Sequence, residues 1–329
     1  MSRALSTSFG PLAALGRVGL ALLVGGLLFG GCTVTSFLGR QYTNFTAYYN
    51  KFHNANAAFE KGVASIEERE QTIDRTQYIS VFLTPGEQVD ESPFDKAVQK
   101  SADVLRKHPD SKWVDDALLL IGKSYFYQQN YVGGAQKFRE VIALDGEREQ
   151  EARFWLARTL LEVERYEEAG EVIRTGVQEE EASSWTARLY LVRGMLHTKQ
   201  EQWEDAVQAL NRGLQGDLPD RLAARAAFLL GQTLETLGNS ASARAAYRQV
   251  QDHDPRYELG FAARLSDIEL QGRHGNASRA LERLNDLEAD EKNYEKRGEM
   301  TLVRARIYRA QGQFERTRQV LTDMLYRKD

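Results

Sequence analysis

The stretch Val114–Asp145 reads VDDALLLIGKSYFYQQNYVGGAQKFREVIALD. Gly122 and Tyr125 stand three apart, and Tyr131, the pair Gly134-Ala135 and Phe138 follow at helical spacings. Steps of three and four put residues on one face of a helix. A small residue there lets a second helix approach, and large residues fill the space between the two. The stretch therefore predicts a helical hairpin whose conserved-looking positions serve packing and carry no catalytic meaning.

The same pattern recurs along the chain. The small position falls at Gly122, Ala157, Gly194, Gly231, Ile268 and Ala305, with one step of 35 and four of 37. Tyr131, Tyr166, Trp203 and Phe314 open the second helices, and Phe138, Ile173, Leu210, Tyr247, Leu284 and Leu321 follow seven residues into each. The spacing matches the tetratricopeptide two-helix repeat, slightly longer than its usual ~34 residues. The fourth unit is the cleanest, with Leu230-Gly231, Leu234, Ala243, Tyr247 and Pro255. The fifth is the weakest, because Ile268 replaces the small residue and Gly272 to Gly275 loosen its turn. Repeats of this kind bury their apolar faces only against their neighbours. The expected fold is all-α, a right-handed solenoid of about six repeats over 94–329, with the helix Phe94 to Lys107 as N-terminal cap. Tyr326-Arg-Lys-Asp follows the last second helix without a further polar helix, so that edge is expected to be exposed or covered by a partner.

Composition agrees. The 329 residues are 42% hydrophobic and 27% charged, with 6 prolines, which suits a helical core. A formal charge of -4 gives no general attraction to nucleic acid. Cys32 is the single cysteine, so intramolecular disulfides and four-cysteine metal sites are excluded by counting. The five histidines fall at no metal-ligand spacing, and nucleophile, phosphate-loop and dinucleotide motifs are absent. No catalytic residue, metal or cofactor is expected. Glu179-Glu180-Glu181 reads as a solvated turn.

The N-terminus carries a different message. Arg3 and Arg17 precede the run from Val18 to Gly31, too short for a membrane span and suited to a secretory signal peptide over 1–31. Leu28-Phe29-Gly30-Gly31-Cys32 resembles the bacterial lipoprotein box. The resemblance implies lipidation of Cys32, a tether over 32–43 and, with Thr33 in place of Asp, sorting to the outer membrane and a periplasm-facing domain. Three acyl chains would make the anchor stable, because one gives only marginal binding at ~0.8 kcal/mol per CH2.

Between anchor and repeats, residues 44–93 divide in two. Phe45, Tyr49, Phe52, Asn56, Phe59 and Val63 form an aromatic helical stripe, with Thr43 or Asn44 as cap. Residues 74–93 break the helical pattern, and Tyr78-Ile-Ser-Val-Phe-Leu83 ends at Thr84-Pro85-Gly86. An extended strap this apolar must be buried, along the repeats or by a partner.

In tetratricopeptide arrays the first helices line the concave face, and positions one and four or five beyond the small residue point into it. Here these are Lys123, Phe126 and Tyr127, Arg158 and Glu162, Met195 and Lys199, Gln232 and Glu235, and Arg306 and Arg309. Such a groove suits a protein segment. Gln41 to Asn56 and His108 to Tyr127 further resemble the tetratricopeptide lipoproteins of gliding motility and type IX secretion, and the second segment the outer-membrane lipoprotein of the β-barrel assembly machinery. Both imply a scaffold that binds other envelope proteins. An envelope protein that binds cell-wall glycan or a small ligand is the other class.

Overall fold

The computed structural model describes residues 41, 44, 51–69, 72–86, 89–178 and 184–326. The leader, Cys32, most of the tether, Phe45, Tyr49 and the run Glu179–Glu181 lie outside the described residues.

Six helical hairpins follow the register read from the sequence. They are α3 (Val114–Tyr127) with α4 (Tyr131–Ile142), α5 (Glu149–Glu162) with α6 (Tyr166–Gln178), and α7 (Ser184–Lys199) with α8 (Trp203–Leu214). Then come α9 (Asp220–Thr236) with α10 (Ser240–Gln249), α11 (Tyr257–His274) with α12 (Ala277–Ala289), and α13 (Arg297–Ala310) with α14 (Phe314–Tyr326). No strand occurs among the described residues. The small position works sterically. A Cβ added at Gly122 would lie 2.6 Å from the Phe138 ring, at Gly194 2.6 Å from Leu210 Cγ, and at Gly231 2.6 Å from the Tyr247 ring.

Five of the six repeat turns are closed the same way. Gln129, Glu164, Glu201, Gly238 and Gly312 have positive φ, spaced as the repeats are. The next N–H reaches back to the first helix, as in Asn130 N to Tyr125 O at 2.8 Å and Gln202 N to His197 O at 2.8 Å. This is the left-handed helix stop, and it satisfies carbonyls that the helix end leaves free. The fifth turn departs from it: Gly275 has φ -147. The loosening expected over Gly272 to Gly275 is nevertheless confined to Gly275-Asn276. Helix α11 runs through to His274, and Gly272 is buried in it with Ile307 only 2.5 Å from where a Cβ would sit. Gly272 thus admits α13 and is a second packing glycine.

The N-terminal part adds a seventh hairpin. Helix α1 (His53–Glu67) packs on α2 (Ser92–Lys107), and a Cβ added at Gly62 would lie 2.7 Å from the Phe94 ring, as one at Gly122 would meet Phe138. Phe94 stacks on Tyr127 with centroids 5.2 Å apart, which seats the pair on the first repeat. Asn44 meets the entrance of α3, while the start of the aromatic stripe lies outside the described residues. Asn44 Oδ1 accepts from Lys112 N at 3.0 Å and its carbonyl from Trp113 Nε1 at 3.1 Å. One hydrophobic core runs from Ala55 to Leu270, and a second cluster joins α11 to α13 through Phe261, Leu265, Met300 and Ile307. Helix α14 has no buried residue, and Phe314, Leu325 and Tyr326 are exposed.

Candidate functional site

The connection between α1 and α2 is the strap, and it lies along the first helices of the repeats. Arg75 starts it on α11, donating from Nε to Ser266 Oγ at 2.9 Å and from Nη2 to Glu269 Oε2 at 2.6 Å. On α9 the Gln232 amide brackets the main chain, with Nε2 donating to Gln77 O at 2.6 Å and Oε1 accepting from Ile79 N at 3.0 Å. Tyr78 shares a hydrogen bond with Thr236 and stacks on Trp203 at 5.2 Å. Arg225 Nε donates to Ser80 O at 3.0 Å and to Val81 O at 3.1 Å. On α5, Arg158 Nη2 donates to Leu83 O at 3.0 Å, and Phe82 meets Phe154 edge-on at 5.0 Å. Nine residues thus reach from the fifth repeat to the second, against the order of the repeats, so the first helices share one inner side. An extended chain of that length spans at most roughly 30 Å.

These contacts are mainly to main-chain carbonyls and amides. Side chains that pair with a backbone read its extended shape, while the ring pockets at Trp203 and Phe154 select large residues at Tyr78 and Phe82. The strap lies on the repeats with Val81 and Phe82 inaccessible or nearly so, while Thr76 to Tyr78 stay exposed.

The residues expected in the groove fall into three groups. Arg158 and Gln232 hold the strap, and Arg306 supports it through Glu269 at 3.3 Å. Lys123, Phe126, Tyr127 and Met195 belong to the packed wall. Phe126 is 0% exposed, Tyr127 is buried beneath α1 and α2, and Lys123 pairs with Glu151 at 2.6 Å over the Phe59 and Trp155 rings. The physical reason is the extra hairpin, which roofs the first repeat and turns its expected groove positions inward. Glu162, Lys199, Glu235 and Arg309 stay at the surface or half-buried, and Glu235 accepts from Tyr247 Oη at 3.0 Å. Burial raises the Glu162 carboxyl above its ordinary value, against the pull of Lys199 and Arg158.

Arg158 is a buried guanidinium enclosed by rings, with Trp155 at 4.5 Å, Phe126 at 4.6 Å and Phe82 at 4.9 Å. Burial holds its pKa below the usual arginine value, offset in part by Tyr127 and Glu162. Sequence reasoning missed Arg75, Glu269, Arg225 and Trp203. Glu269 was within reach, since it stands one residue beyond Ile268 just as Arg158 follows Ala157 and Gln232 follows Gly231. It is 4% exposed and gathers Arg75, Arg306 and Arg273, the last at 3.6 Å. Arg225 has its own signal: Arg188 and Arg225 each stand six residues before the small position, 37 apart.

Strap and inner wall together form an open cleft of about 570 Å3, bordered by Phe82, Phe154, Arg188, Leu222 and Arg225. Among the described residues no three His, Asp or Glu side chains come together as metal ligands, and no helix is long and apolar enough to cross a membrane.

Comparisons with known proteins bear on the fold. A tetratricopeptide repeat-like domain model matches residues 77–222, and a tetratricopeptide repeat model matches residues 191–258. No curated protein matches the sequence. Among solved structures, a tetratricopeptide repeat protein from Parabacteroides merdae ATCC 43184 is 14% identical over 82% of this chain and 92% of its own, with a TM-score of 0.44. MamA 41-end from Desulfovibrio magneticus RS-1 is 20% identical over 49% and 86%, with a TM-score of 0.40. The APC/C hetero-tetramer Cut9-Hcn1 is 12% identical over 90% and 58%, with a TM-score of 0.44. The register, the hairpins and the two sequence matches make the chain an all-α tetratricopeptide-type solenoid.

Proposed function

We propose that this chain is a non-enzymatic scaffold, anchored in the outer membrane through acylated Cys32 and facing the periplasm, that binds other envelope proteins in a secretion, motility or envelope-assembly complex. The supporting observation is the inner face itself: Arg158, Arg225 and Gln232 hold an extended polypeptide by its main chain. That is the chemistry of a protein-binding surface, and in this chain the strap occupies it. Glu162, Lys199, Glu235 and Arg309, exposed or half-buried on the first helices, are the surface where a partner would meet the solenoid.

Two measurements test the two halves of this reading. Radiolabelled palmitate is expected in the wild type and absent from Cys32→Ala; equal labelling refutes the anchor. A photo-crosslinking residue placed at Lys199 or Arg309, both exposed, is expected to capture envelope proteins in intact cells. Capture of none at either position refutes the scaffold.

One observation favours a second reading. The cavity beside the strap falls within the roughly 300–1,000 Å3 of small-molecule sites, which supports an envelope protein that binds a small ligand.

A further inference from the structure

The wall of the cavity combines two features that the strap does not account for. The first is charge. Arg188 and Arg225 occupy the same place in successive repeats, so both reach the cavity from neighbouring first helices. Arg225 donates only to the carbonyls of Ser80 and Val81, through Nε and Nη2, which leaves Nη1 without a hydrogen bond among the described residues. Arg188 donates to Ser184 O at 2.9 Å and lies over the Trp185 ring at 4.9 Å. Neither makes an ion pair with a described residue, although the equivalent positions one and two repeats earlier, Glu151 and Asp116, both do. Burial alone lowers the Arg225 guanidinium to about 10, and burial likewise lowers Arg188 against the distant pull of Glu151 and Asp217. Both residues are half-buried, and a partly desolvated cation with no counter-charge is costly, which an arriving anion relieves.

The carboxylates that share the cavity do not supply this charge. Glu258 takes Lys296 at 2.8 Å, Asp220 is largely exposed beside His253, and Glu67 and Asp254 are exposed at the rim. Six arginines border the cavity against these four acids, in a chain whose net charge is negative.

The second feature is the apolar floor. Phe82, Phe154 and Leu259 are buried there, and Leu222 lies beside them. A free phosphate or a sugar acid would satisfy the arginines and waste this surface, whereas an anion with an apolar body uses both.

We propose that the cavity between strap and inner wall binds a small amphipathic carboxylate, with its head on Arg188 and Arg225 and its body against Phe154, Leu222 and Leu259. This rests on the small-ligand reading and names its chemistry and site. The ligand would also touch Val81 and Phe82, so its binding is linked to the seating of the strap.

The test is isothermal titration of the purified full chain with 4-phenylbutyrate, with 4-phenylbutanol and with gluconate. The expected result is one 4-phenylbutyrate per chain, with the alcohol and the sugar acid at least tenfold weaker. Arg188→Met, which removes no hydrogen bond to the described strap, is expected to weaken the acid about tenfold and leave the alcohol unchanged; Arg188→Met/Arg225→Met removes the preference for the acid. Absence of binding by 4-phenylbutyrate, equal affinity for alcohol and acid, gluconate binding as well as the aromatic acid, or an unaffected Arg188→Met protein overturns the proposal. Failure here leaves the protein-scaffold reading standing, and failure to capture a protein partner leaves this titration unaffected.

Discussion

Replacing Gln232 with alanine isolates the strap from the rest of the fold. The side-chain amide makes two hydrogen bonds to the strap, to Gln77 O at 2.6 Å and from Ile79 N at 3.0 Å, and its loss leaves both main-chain groups without their partner. At about 1 kcal/mol net for each hydrogen bond, seating of the strap should weaken by about 2 kcal/mol. At 1.36 kcal/mol per factor of ten, that is about a thirtyfold rise in the open population at Ile79. Hydrogen–deuterium exchange measures it directly: the Ile79 amide should exchange about thirtyfold faster in Gln232→Ala. Trp203 emission should change with it, because Tyr78 stacks on that ring. The α9 amides on either side of the mutation should keep their protection, since the helix is bonded through its own backbone and Ala is the better helix former. Gln232→Glu retains the acceptor for Ile79 N but sets a carboxylate against Gln77 O, so exchange at Ile79 should rise there too. Unchanged exchange at Ile79 would refute the idea that side chains of the inner wall hold the strap by its backbone, and equal acceleration in all helices would show that the strap has no opening of its own.

Three further perturbations address the packing and the charges. Gly231→Ala puts a Cβ 2.6 Å from the Tyr247 ring, and urea unfolding should show a loss of about 1–3 kcal/mol from overpacking, whereas Gly86→Ala, with nothing within 4 Å, should be nearly silent. Asp267, 1% exposed, faces Arg244 at 2.7 Å and Arg283 at 2.8 Å, so Asp267→Asn should cost about 3–5 kcal/mol, read as a lower urea midpoint, and a midpoint unchanged within error would contradict that role. Glu162 has its folded pKa raised above the unfolded value of 4.5 by burial, so the folded state holds its proton more readily and stability falls as pH rises through that window. Glu162→Gln should therefore be the more stable protein at pH 7, with the difference vanishing below about pH 4; a variant less stable than wild type at neutral pH would reverse the sign.

The repeats were legible because their signal is local and periodic. Gly122 against Phe138 and Gly231 against Tyr247 are steric pairs sixteen residues apart, and a ruler laid along the sequence finds them. The first hairpin escaped that ruler. Gly62 faces Phe94 as Gly122 faces Phe138, but the strap separates them and breaks the period. The strap itself was legible as an extended segment that must be buried; where it lies was not. Its partners Arg158, Arg225, Gln232 and Glu269 are 75 to 194 residues away, and no local pattern announces a pairing of that range. Groove positions suffered from the same blindness. The rule that picks residues just beyond the small position found Arg158 and Gln232, and it placed Phe126 and Tyr127 in the open because it did not foresee the α1–α2 roof. Glu269 lay in the same column and was passed over because Ile268 disguised the fifth repeat.

The strap also alters how this molecule answers to force. A stack of repeats joined only to their neighbours behaves as a spring, stretching or twisting a little at every joint. Here a chain segment rooted in the first hairpin is fastened at the second, fourth and fifth repeats, by Leu83 on Arg158, Ile79 on Gln232 and Arg75 on Glu269. It works as a tie rod across the inside of the coil. Extension of the superhelix must first shear these fastenings, so a pull on the molecule should meet a stiff response up to the point of release and a soft one beyond it.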